Sequence, residues 1–198
     1  MGQQRLHQAI QTFGPDKVVV EWKPFVIDAG TDPQRETVEA YCQRRWGGSG
    51  WTHHLKSEGR KDGAQFQHWK IWPNTWKAHQ LIQYCHERGI STSDRINQVL
   101  FRAEYEQGLN LSLVDTLVQL ASTELGMANT EELQEYLMRD QGKNVVQAEI
   151  RSMSSQYGIR GVPYFIVRGQ DPSQRPYGFS GAQSSRTLVE LFQELADE

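Results

Sequence analysis

The sequence has no cysteine pair at CxxC spacing; Cys42 and Cys85 are its only cysteines and stand far apart. Two distant thiols make neither a disulfide framework nor a thiolate zinc site, and they leave the chain without a vicinal dithiol for redox exchange. Long apolar runs are missing too. Nothing approaches the roughly 18 consecutive apolar residues that cross a bilayer, and the opening Met1-Gly2-Gln3-Gln4-Arg5 has none of the apolar stretch of a secretory signal. The expectation is a cytoplasmic protein with no membrane partner. Charge of one sign is also scarce: a formal net charge of -3 is too mild to point to nucleic acid. His53, His54, His79 and His86 do not share a helical face at ligand spacing, and no nearby carboxylate completes a set, so no metal is expected.

What is present suits one core domain carrying a large insertion. The chain has 198 residues, 37% of them hydrophobic, with six tryptophans. Leu6, Ala9, Ile10 and Phe13 recur at helical spacing until Gly14-Pro15 stops them. Val18-Val19-Val20 then opens a run to Phe25 with the β-branched composition of a strand buried on both faces. From Asp32 to about Gly142 the pattern is helical, opened by Asp32 as N-cap and Pro33 at the first helical position.

Within that block, Asn74 is placed to cap a helix bearing Ala78, Leu81, Ile82 and Cys85, which Gly89 ends. Ser93 opens another that closes near Gly108. Leu113 to Ala121 form the most apolar helix, with Gly126 at its end, and the more polar helix from Thr130 is expected to lie outside. After a helix ending near Gly158, Gly161 to Val167 reads as an apolar strand, Tyr177 to Ser180 as its partner, and Ser184 to Ala196 as a closing amphipathic helix. Cys42 and Cys85 sit on apolar stripes, which points to packing. Trp46, Trp51, Trp69, Trp72 and Trp76 are concentrated in one stretch, either as core or as the lining of an apolar cleft.

Four stretches, in this order, carry a resemblance: Val20-Glu21-Trp22-Lys23-Pro24-Phe25; Asn74-Thr75 followed by Ala78-His79; Gly158-Ile159-Arg160-Gly161-Val162-Pro163-Tyr164-Phe165; and Phe179-Ser180-Gly181-Ala182-Gln183. Together they resemble the FrnE-like branch of the DsbA family of oxidoreductases, a family that includes the kappa-class glutathione transferases and hydroxychromene-carboxylate isomerases. The resemblance implies an α/β class, a thioredoxin-like fold with a large all-helical insertion and the first β-strand missing. Residues 1–31 and 143–198 would form the two thioredoxin-like parts, and 32–142 the insertion. In the family a CPWC-type motif stands at the start of the first helix; here Met1 to Leu6 matches only the helix residues beyond that motif. Two apolar strands then lose their shared neighbour. A reading frame that opens further upstream is the first explanation; a true truncation filled from a partner chain, as in a homodimer, and a rearranged sheet are the others.

By the same resemblance Pro163 follows a cis bond, and the backbone of Val162 pairs with a thiol peptide or glutathione. Ala182 and Gln183 would offer free amides at the last helix to a glutathione carboxylate, with simple capping as the alternative. Asn74 and Thr75 face the cleft or merely cap their helix. The implied function is thiol-disulfide oxidoreduction, inactive in dithiol exchange without the CxxC. The alternatives are a glutathione-dependent isomerase or transferase, as in secondary-metabolite biosynthesis, and a non-catalytic binding module. No cofactor is required, glutathione is the candidate, and the partner is a thiol-containing substrate or a small apolar molecule.

Overall fold

A computed structural model describes residues 1–171 and 173–197. Helix α1 (Gly2–Phe13) buries Leu6, Ala9 and Ile10 and stops at Gly14, whose φ of 138° only glycine adopts readily. It packs along α9 (Ser185–Asp197), with the Phe13 and Phe192 rings 5.6 Å apart. Both rest on a hairpin of β3 (Tyr164–Val167) and β4 (Tyr177–Ser180), paired antiparallel from Tyr164 opposite Ser180 to Val167 opposite Tyr177. Phe165, Val167 and Phe179 pack against Leu6, Ile10, Leu188 and Phe192. At roughly 1.5–3 kcal/mol for each large side chain buried, this small core holds the thioredoxin-like part together.

The run from Val18 to Phe25 does not form the doubly buried strand that its composition suggests. Val18 is extended, and Val18 and Val20 pack on the core just described, yet Val19 between them is 96% exposed. The alternation is that of a strand, but among the described residues no neighbouring strand bonds to it. Instead it faces β3 across a cleft that both line. The reading of two apolar segments lacking a common neighbour holds; the reading of a ladder-bonded strand does not.

The helical insertion begins later than Asp32. The Asp32 carboxylate accepts from the Gln34 and Arg35 amides, 2.8 and 3.2 Å, so it caps one turn that goes no further. A two-residue strand β1 (Glu36–Thr37) intervenes, paired with β2 (Ile71–Trp72), and Thr37 caps α2 (Val38–Trp46) by accepting from Ala40 N. Then come α3 (Gly50–Lys61), α4 (Trp76–Glu87) and α5 (Ser93–Phe101), the last continuing as a π-helical turn over Arg102–Glu106. The chain goes on through α6 (Val114–Leu125), α7 (Glu131–Met138) and α8 (Lys143–Tyr157).

Helices α4 to α7 enclose one core around Leu81, Ile96, Leu117, Leu133 and Leu137. The polar composition of the helix after Thr130 misleads, because Leu133, Tyr136 and Leu137 line up at helical spacing and are buried, so α7 is an inner helix. The glycine stops hold: Gly89 takes φ 63° and lets the Ile90 amide reach Cys85 O. Among the described residues no helix is long and apolar enough to cross a membrane.

Candidate functional site

The Val162–Pro163 bond is cis, as the resemblance implies. Pro163 O accepts from Gly181 N at 2.8 Å, which draws the loop before α9 against the entrance to β3. The first turn of α1 closes over the same point. A Cβ added at Gly2 would sit 3.3 Å from Pro163 Cγ and 3.6 Å from Ala182 Cβ, so the missing side chain lets the helix start rest on the proline ring. One turn on, Arg5 fixes the arrangement: its Nη1 donates to Ala182 O at 2.9 Å and its Nε to Asp62 at 2.8 Å. Val162 remains 49% exposed at the edge of this junction. The start of a helix, an exposed backbone turn and the loop before a second helix thus converge.

Val162, Pro163, Ala182 and Thr75 line one cleft of about 1730 Å³ between α1, the 18–27 segment, the helical block and β3. Asn74 and Gln183 turn elsewhere. The Asn74 side chain donates to Thr31 O and accepts from Trp76 N, while its amide donates to Ser112 Oγ, so it stitches three loops together. The helix starts one residue later than expected, with Thr75 at the cap position. Gln183 Nε2 donates back to Ser180 O, and the α9 cap is Ser184, whose Oγ accepts from Thr187 N at 3.1 Å. Ala182 and Gln183 therefore precede the first turn of α9 rather than open it.

Neither cysteine belongs to the cleft. Both are free and buried; burial pushes the Cys42 thiol up against a hydrogen bond from Trp51, and pushes Cys85 up to about 11. The tryptophans divide. Trp69 is core, Trp72 stacks on Tyr41 with ring centroids 3.9 Å apart, and Trp46, 46% exposed, stands with Trp51 at the rim. All four line the cleft, whereas Trp76 lies apart, under the Lys143 ammonium. His79 lines it too: its Nε2 donates to Phe25 O at 3.2 Å, its Nδ1 is buried without a partner, and burial lowers its pKa to about 4.

Sequence reasoning missed Arg5, Asp94 and Glu104. Arg5 is the single Lys or Arg of the first helix, a signal that could have been used. Asp94 accepts from His7 at 3.0 Å, Trp22 Nε1 at 2.7 Å and Gln98 at 3.0 Å, tying α1 and the extended segment to α5. Burial raises its pKa, but those hydrogen bonds outweigh burial and hold it below the ordinary value.

Comparison with known proteins agrees with this geometry. A crystal structure of a probable DsbA oxidoreductase from Streptomyces coelicolor superposes with a TM-score of 0.81 at 22% identity, covering 100% of this chain and 84% of that one. At that identity the likeness shows the fold. No curated protein sequence matches the chain. A family model described as the DSBA-like thioredoxin domain matches residues 1–193, nearly the whole length. With the cis-proline junction and the helical insertion in place, the chain belongs to the DSBA-like thioredoxin domain family.

Proposed function

We propose that the chain is an oxidoreductase of the thiol-disulfide class and the FrnE-like branch, inactive in dithiol exchange because it has no CxxC pair, which docks a thiol peptide or glutathione along the backbone of Val162. The observation that carries this reading is the convergence of Gly2, the cis Val162–Pro163 turn and Ala182. A peptide laid against the exposed turn would pair with its backbone, and its sulfur would lie near the start of α1, where unpaired amides favour a thiolate. The exchanging sulfur is neither Cys42 nor Cys85, since both are buried and held protonated. The cytoplasm, where glutathione is kept reduced, is the proposed setting.

Oxidation of a small dithiol by the purified chain tests this. Wild type and the Cys42→Ser/Cys85→Ser double variant should be equally without turnover; turnover in either overturns the assignment. A second reading, glutathione-dependent isomerisation or transfer, is supported by the size of the cleft, about 1730 Å³ with many aromatic side chains, which leaves room for an apolar molecule beside glutathione. Such chemistry needs no protein cysteine. Calorimetry with glutathione bears on both readings, and absence of binding would remove the second.

A further inference from the structure

The π-helical turn Arg102–Glu106 joins the helical block to the cleft, and π-turns concentrate where a helix must aim a side chain out of its regular register. Two of its residues have plain structural duties. The Glu106 carboxylate accepts from the amides of Gln65, Phe66 and Gln67, and Tyr105 O accepts from His68 N. Glu104 has no such duty. It lines the cleft, is only 7% exposed and takes part in no ion pair among the described residues. The polar side chain that bears on it is the neutral Tyr105 hydroxyl.

A carboxyl removed from water is satisfied in one of two ways, by a proton or by a cation. The structure supplies the first: burial raises Glu104 to about 8, so near neutral pH it carries a proton. The other titratable groups on this part of the cleft are engaged elsewhere or unpaired with it. Arg102 is bound to Glu124, Glu106 to backbone amides, His79 to Phe25 O, the Met1 ammonium interacts with Asp62 and Glu106, and Arg95 makes no ion pair with Glu104. The same cleft is lined by Trp22, Phe66, Trp69, Phe101 and Tyr105; Tyr105, next to Glu104 in the turn, stands 5.3–5.4 Å from the Phe66 and Trp69 rings and 5.9 Å from Phe101. Ring faces attract cations and repel anions.

We propose that the wall of the cleft at Glu104 binds an organic cation, a protonated amine on an apolar body, whose charge the Glu104 carboxylate meets and whose apolar part lies among these rings. The amine takes the place of the proton that Glu104 carries in the free protein, so binding near neutral pH releases close to one proton. The site does not depend on thiol exchange.

Titration calorimetry with benzylammonium and its neutral analogue benzyl alcohol, in two buffers of different ionisation enthalpy, tests this on the full chain. Benzylammonium should bind on the order of tenfold more tightly than benzyl alcohol, with proton release counted from the buffer dependence. Glu104→Gln should lose both the preference and the proton release, with circular dichroism showing that the variant is folded. Equal affinity for the two probes, binding without proton release, a preference that survives in Glu104→Gln, or no binding of either probe overturns the proposal. The wild-type arm decides even if the variant does not fold.

Discussion

Alkylation of Cys85 by iodoacetamide near neutral pH should be slowed in the folded chain by a factor that can be worked out from its surroundings. Burial raises this thiol to about 11, which leaves ~1 part in 10⁴ as thiolate, against roughly 3 parts in 100 for an unperturbed cysteine. That is a deficit of about 300-fold, of which about tenfold is recovered because a more basic thiolate is intrinsically more nucleophilic. A slowing of about 30-fold remains before access is considered. Cys85 is 0% exposed, so the reagent must also wait for local opening, which slows it further. Cys42 is equally inaccessible on α2 and burial raises its thiol as well, so slowed alkylation is expected there too. The assay is mass-spectrometric counting of alkylated sites with time, folded and in urea. A cysteine that reacts in the folded chain as fast as in urea would refute the argument that both thiols are packing groups.

Gly2→Val should lift the first turn of α1 off Pro163 and Ala182, costing about 1–3 kcal/mol in urea denaturation and weakening glutathione binding; an unchanged midpoint and affinity would count against the junction. Asp94→Asn should destabilise by roughly 1–3 kcal/mol near neutral pH, because three donors lose a charged acceptor. The Asp94 pKa lies lower folded than unfolded, so its contribution is present above the unfolded value and fades as pH falls through the folded one; the variant should show a flatter acid limb. His79 has the same sign by a different route. Its folded pKa of about 4 lies below the ordinary 6.5, the unfolded chain binds the proton more readily, and stability should fall as pH drops from 6.5 towards 4. His79→Gln should remove that slope in a series of denaturation curves.

Much of the fold was legible because its signals are local. Apolar spacing marked α1, α4 and α9, and Gly89, Gly126 and Gly158 ended helices where left-handed backbone was required. The cis bond at Pro163 came from resemblance, since nothing in its neighbours' chemistry demands it. Three failures have a common cause. Val18–Phe25 has strand composition, yet a strand exists only with a bonded neighbour, which no local pattern reports. Asp32-Pro33 has the chemistry of a helix start, but the chain turns once and pairs Glu36–Thr37 with Ile71–Trp72 before Thr37 caps α2. Arg5 and Asp94 act through partners as far as 177 and 87 residues away in sequence. Glu104 escaped notice because its isolation is a property of the packed cleft, invisible in a stretch that also holds Arg102 and Glu106.

Backbone amide shifts of the isotopically labelled chain, followed by NMR as glutathione is added, address the docking junction most directly. Saturable shifts are expected in the millimolar range, on the order of weak ligand binding, largest at Val162 and reaching Gly2 and Ala182, with the core helices α4 to α7 still. Shifts confined to a different surface, or none at Val162 when the ligand is in excess, would contradict docking there.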